Sequence, residues 1–112
     1  MTPLQCWVAL SGAIACEVAA TICMKLSDGL TRWIWIAPML AGYLFALGGL
    51  ALALNRIEVG IAYAAWAGAG TLAISLLGIA FFGESASPLK LASTALVVAG
   101  VVGLNLADAV AR

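Results

Sequence analysis

The chain has 112 residues and no formal net charge, is 65% hydrophobic and only 9% charged, and its mean hydropathy is +1.16. Soluble domains carry roughly 25% charged and about 45–50% apolar residues, so this chain has too few polar side chains to clothe a water-facing surface. That excludes a soluble globular domain.

Four apolar runs follow one another, over residues 4–26, 33–54, 59–82 and 89–106, parted by short polar segments at 27–32, 55–58 and 83–88. Runs of this length reach the ~20 residues that a helix needs to cross the hydrocarbon core. None alternates with a period of two, as a transmembrane barrel strand would. Backbone groups in lipid must be satisfied within the segment, so the runs are expected to be helices. The reading is an all-α integral membrane protein: one membrane domain, residues 1–112, with four transmembrane helices and consecutive helices antiparallel.

The first run has no basic segment before Leu4 and is too long for a leader, which predicts a span. Cys6, Cys16 and Cys23 all fall in it, and the chain has no His. An odd set on one helix predicts neither a disulfide framework nor a metal site. No GxxxxGK[ST] loop occurs, which argues against ATP-driven pumping by this chain, and no cofactor or catalytic constellation is expected.

Nine of the ten charged residues lie in the polar segments, at run ends or in the C-terminal tail; the tenth, Glu17, stands about 13 residues into the first run. At 1.5 Å per residue that is roughly 20 Å along the helix, and Lys25 is about 12 Å further on, too far for a local ion pair. An ionisable group at that depth costs several kcal/mol and marks an ion or substrate pathway. The helical face of Glu17 also carries Leu10, Ala13, Ile14, Ala20, Thr21 and Met24. These side chains are small or soft, so Ile14, Ala20 and Thr21 are expected to line space for another molecule.

In the second run Tyr43 is a candidate partner for that molecule. In the third, Tyr63 and Trp66 share a face with Ala67 and Gly70. Trp7, Trp33 and Trp35 sit near run ends, where interfacial tryptophans belong, but Trp66 lies well inside. An indole and a phenol beside a buried acid suit a lipophilic cation, because desolvated cation–π attraction reaches about 2 kcal/mol. Gly68 and Gly70 are candidates for a hinge or for close packing. In the fourth run Ala95, Ala99 and Gly103 recur every fourth residue, the small-xxx-small pattern of helix association. Four short helices leave little room for a substrate and two gated exits, so an oligomer is expected.

The chain resembles the small multidrug resistance family of bacterial transporters along essentially its whole length. The resemblance rests on Ala15-Cys16-Glu17-Val18, Met24-Lys25, Gly29-Leu30-Thr31-Arg32, Gly60-Ile61-Ala62-Tyr63-Ala64-Ala65-Trp66, the Gly68/Gly70 pair, Ala99-Gly100-Val101 and Asn105-Leu106. It implies an antiparallel homodimer in the bacterial inner membrane that exchanges protons for cations. Glu17 matches the family's shared acid, Tyr43, Tyr63 and Trp66 its aromatic site positions, and Thr21 a small polar position one turn beyond the acid. Gly100 matches a glycine of the dimerising fourth helix; the glycine usual seven residues earlier is Ser93 here.

The guanidinium-exporting branch typically places a Trp three residues after the acid and a Ser in the second helix; here those positions are Ala20 and Ala46. Their loss points to the branch that exports bulky lipophilic and quaternary ammonium cations. The segment from Gly83 to Ser93 looks more like the guanidinium branch, and Ala67 replaces a hydroxyl residue usual in both. The expected function is proton-coupled antiport of lipophilic cations by alternating access. The alternatives are a guanidinium or polyamine exporter, one subunit of a paired heterodimer, or a non-transporting accessory subunit. The expected partners are protons, small organic cations, membrane lipid and a second chain, with no nucleic acid.

Four spans put Arg56 and Arg112 on one side of the membrane and Lys25, Arg32 and Lys90 on the other. Two basic side chains against three set almost no orientation, so the chain is expected to insert both ways. A C-terminal reporter fusion should give signal on both faces of the membrane; signal on one face alone would overturn the antiparallel arrangement.

Overall fold

The computed structural model describes residues 2–111; Arg112, counted above for topology, lies outside them. The described residues form four helices: α1 (Pro3–Leu26), α2 (Trp33–Ala53), α3 (Val59–Phe81) and α4 (Pro88–Ala111). Each is long and apolar enough to cross a membrane. Helix α4 continues past the apolar run, through Ala107 and Asp108, because no Gly or Pro follows Leu106 to break it. The chain divides into two compact units, residues 1–58 and 59–112.

In the first unit, α1 opens on a capping box. Thr2 Oγ1 accepts from the Gln5 amide (3.1 Å) and Gln5 Oε1 accepts from the Thr2 amide (3.0 Å), with Pro3 in the first turn. This satisfies two amide donors that the helix itself cannot. The helix stops at Ser27, which is fully buried. Its hydroxyl donates to the Met24 carbonyl (2.6 Å) and accepts from the Leu30 amide (3.0 Å). Its carbonyl takes the amides of Thr31 and Arg32, both at 3.0 Å. Between them Asp28, Gly29 and Leu30 all have left-handed backbones, with φ of 52°, 71° and 67°. Only glycine adopts that region freely, so the Asp and Leu cost roughly 1–2 kcal/mol each, offset by the hydrogen bonds that Ser27 gathers.

Helices α1 and α2 meet along a seam of small residues. On α1 the buried seam positions are Cys6, Leu10, Ala13 and Ala20, spaced alternately four and three with Glu17 falling in the same series. On α2 Met39, Ala46 and Ala53 are buried, with Gly42 and Gly49 between them. A Cβ at Gly42 would stand 2.9 Å from Ala20 Cβ and 3.0 Å from the Cys16 carbonyl; at Gly49 it would stand 2.7 Å from Ala13 Cβ and 3.0 Å from the Ala9 carbonyl. Backbones this close gain dispersion along their length, the main attraction between helices in lipid. Pro38 lies inside α2 and withholds one amide from its ladder.

In the second unit, a Cβ at Gly68 of α3 would collide with the Val101 side chain of α4. Helix α3 ends where Gly83 turns left-handed (φ +65°), and the Gly78 carbonyl accepts the amides of Phe82 (3.0 Å) and Glu84 (3.1 Å). The Glu84 carboxylate folds back onto Gly78 and pairs with Lys90 at 3.7 Å. Ser87 starts α4 by accepting the Lys90 amide (3.2 Å). No residue of α4 from Pro88 to Asp108 is buried.

Adjacent glycines of α2 therefore differ sharply: Gly49 faces the seam, whereas a Cβ at Gly48 meets nothing within 4 Å. Gly49→Val should destabilise the protein by about 1–3 kcal/mol through overpacking, and Gly48→Val by no more than about 0.5 kcal/mol. Reversible unfolding of the two variants in mixed micelles checks this; equal midpoints would contradict the seam.

Candidate functional site

Glu17 lies half-buried on the α1 seam, at the point where it faces the middle of α2. Its Oε1 accepts a hydrogen bond from Thr21 Oγ1 at 2.9 Å, the i, i+4 neighbour on the same face. Thr21 Oγ1 in turn lies 2.9 Å from the Tyr43 hydroxyl of α2. A threonine hydroxyl has one proton, and Thr21 gives it to the carboxylate. Tyr43 is then the donor to Thr21. The structure thus joins three residues proposed from sequence into one chain, Tyr43 O–H to Thr21 O–H to Glu17. Tyr43 sits beside Gly42, so the glycine that lets the backbones approach also brings the phenol within reach.

The charge setting is one-sided. Helix α2 contains no charged residue, and Lys25 is the other charged residue of α1, about 12 Å from Glu17 along the axis. Two neutral hydroxyls stabilise a carboxylate but do not neutralise it. Among the described residues no group of three His, Cys, Asp or Glu side chains converges to hold a metal ion.

The remaining sequence candidates are placed as follows. Ile14 is half-buried on α1. Ala20 is 1% exposed and packs against Gly42, so in this structure it forms part of the helix contact and presents little surface to a ligand. Ala46 is equally buried. An apolar groove of about 470 Å³ runs between α1 and α2, lined by Ala9, Gly12, Ala13, Cys16, Leu44, Phe45, Gly48, Gly49 and Leu52; it holds none of the candidate residues. In the second unit Tyr63 is exposed and Trp66 half-buried, three residues apart on one face of α3. Helix α3 runs unbroken through Gly68 and Gly70, both buried, and Gly68 makes room for Val101. Ala95, Ala99, Gly100 and Gly103 of α4 are all exposed.

Sequence reasoning overlooked Ser27 and Glu84. A Ser just before an Asp-Gly pair signals the first, and a Gly-Glu dipeptide followed by a Ser-Pro helix start signals the second.

A family model described as "Small Multidrug Resistance protein" matches residues 5–97. The chain is 45% identical to the membrane protein YvaE of Bacillus subtilis (strain 168), over 94% of this chain and 88% of the relative. It is 41% identical to the multidrug resistance protein mmr of Mycobacterium leprae, over 87% and 92% of the two chains. It is 38% identical to the guanidinium exporter of Citrobacter freundii, over 89% and 95%. With four helices fit to cross a membrane and this match over most of its length, the chain is a multi-pass membrane protein belonging to the small multidrug resistance family.

Proposed function

We propose that the protein is a proton-coupled antiporter of the bacterial inner membrane that exports lipophilic and quaternary ammonium cations by alternating access, as an antiparallel homodimer. The observation that carries this reading is the setting of Glu17. A carboxylate at mid-span, held by Thr21 at 2.9 Å with no cation beside it on α1 or α2, needs a compensating positive charge. A proton supplies it covalently and a cationic substrate supplies it by contact, and the two exclude each other. If the carboxylate opens to one side at a time, protons taken up from the acidic side displace the cation, and the proton gradient drives its export. The reading makes the chain a transporter and not an enzyme.

The substrate class follows from what surrounds the acid. Guanidinium is planar, with donors directed in its plane, and is best held by several acceptors. Ala20 and Ala46 stand where the guanidinium branch typically carries the Trp and Ser that brace the acid, and both are buried. A bulky, weakly hydrated cation asks for one carboxylate and aromatic faces; Tyr43 is linked to the acid through Thr21, and Tyr63 and Trp66, the aromatic positions that the family resemblance implies, are proposed to add to it. A second reading, guanidinium export, is favoured by the 38% identity to guanidinium exporters.

Binding of tetraphenylphosphonium and of guanidinium to the purified protein across pH separates the two readings. Tetraphenylphosphonium should bind more tightly and release protons into weak buffer; tighter guanidinium binding would favour the second reading. Glu17→Gln should abolish proton release and uphill transport in proteoliposomes, and a mutant that still concentrated cations would overturn proton coupling. Trp66→Ala should weaken tetraphenylphosphonium about tenfold, the scale of a desolvated cation–π contact, with a smaller effect on tetramethylammonium. Equal losses for both ions would remove the aromatic role.

A further inference from the structure

The hydroxyl chain at Glu17 treats the two carboxylate oxygens differently. Oε1 accepts the Thr21 hydroxyl at 2.9 Å, and Thr21 is itself held by Tyr43 at 2.9 Å. Oε2 takes no hydrogen bond from any described residue. Among the described residues no fully buried side-chain oxygen or nitrogen lacks a partner, so Oε2 is not sealed into the packing. A carboxylate has lone pairs for several donors, and those on Oε2 are the ones left open.

We infer that Thr21 is a positioning residue: held by Tyr43 across the seam, it ties down Oε1 of Glu17 and leaves Oε2 as the oxygen for which proton and cation compete. The inference deepens the antiport reading and rests on it for the cation. The hydroxyl chain itself does not depend on that reading.

Three consequences follow from the geometry. First, an i, i+4 bond fixes the acid's side chain against its own helix, so Oε2 points to a defined place whichever ligand arrives. Second, Thr21 gives its one hydroxyl proton to Oε1, so it has none to offer at Oε2. Third, the Tyr43 hydroxyl donates into a chain that ends on a negative charge. When Glu17 takes up a proton the pull on Thr21 falls, and the hydrogen bond made by Tyr43 weakens with it. The phenol on α2 therefore reports the occupancy of an acid on α1 that it does not touch.

Few other groups could produce that response. Tyr43 is the one titratable residue of α2. On α1 the remaining titratable groups are the Cys6, Cys16 and Cys23 thiols and Lys25. None of these is a partner in the two hydroxyl bonds.

The chain has two tyrosines, so ¹³C at the tyrosine ring carbon bearing the hydroxyl reports on Tyr43 and Tyr63 alone, and loss of signal in Tyr43→Phe identifies the one sought. In the parent protein this signal should move when Glu17 gains or loses its proton, and Glu17→Gln should hold it still. Thr21→Val keeps the shape but removes the hydroxyl. It should abolish the pH response and weaken tetraphenylphosphonium binding about tenfold, the scale of one hydrogen bond to a charged group. Thr21→Ser restores a hydroxyl and should return both readouts to within about twofold of the parent. A Tyr43 signal that ignores pH in the parent, or that still responds in Thr21→Val, would overturn the relay. So would unchanged cation affinity in Thr21→Val. Absence of cation binding by the parent, with the Tyr43 response intact and lost in Thr21→Val, would leave the hydroxyl relay standing and overturn the antiport reading together with the competition at Oε2.

Discussion

Between α1 and α2 the two backbones come close enough that a methyl group at Gly42 or Gly49 would strike the opposite helix. This approach is possible because Ala13 and Ala20 face those glycines, two turns apart on each side. In lipid no hydrophobic force drives helices together, so contact of this kind has to hold the pair. The arrangement at Glu17 depends on it. With larger residues along the seam the helices would stand further apart, and a phenol on α2 could not reach a threonine on α1 at 2.9 Å. Packing and polar chemistry thus share one face of α1, where Leu10, Ala13 and Ala20 supply the contact and Glu17 and Thr21 supply the charge and its hydrogen bond.

How much of this is legible in the sequence depends on the range of the interaction. The helices are legible because hydrocarbon leaves no other way to satisfy the backbone. Glu17 stands out for the same reason, as the charge that composition cannot explain away. Thr21 is legible as its neighbour because 3.6 residues per turn places i and i+4 together. The Tyr43 bond is not. It requires the rotation of α2 about its own axis, and α2 carries small residues on several sides: Ala37, Ala41, Gly42, Ala46, Gly48, Gly49, Ala51 and Ala53. Any of several stripes would have served as a seam, and only the folded pair selects the one through Gly42 and Gly49.

The second unit shows the opposite balance. Tyr63 and Trp66 are evident from their spacing, yet Tyr63 lies exposed. Helix α4 buries no residue from Pro88 to Asp108, and its small residues Ala95, Ala99, Gly100 and Gly103 face outward. A stripe of small residues packs closely only against another backbone, and within its own unit this one stays exposed. The long helices and brief turns that sequence predicts are all in place, while the second half of the chain leaves a helix face open.

The turn at Ser27 bears on how such a chain enters a membrane. A helical hairpin crossing to either face must present its reversal to water or headgroups, and unmet amides and carbonyls there would make it depend on solvent. Here the reversal is closed from within. Ser27 supplies its hydroxyl to Met24 and Leu30 and its carbonyl to Thr31 and Arg32, while being itself wholly shielded. The hairpin therefore brings little backbone polarity of its own to satisfy. Its tip is a knot of hydrogen bonds made largely within the turn, so the backbone of the reversal asks less of whichever interface receives it.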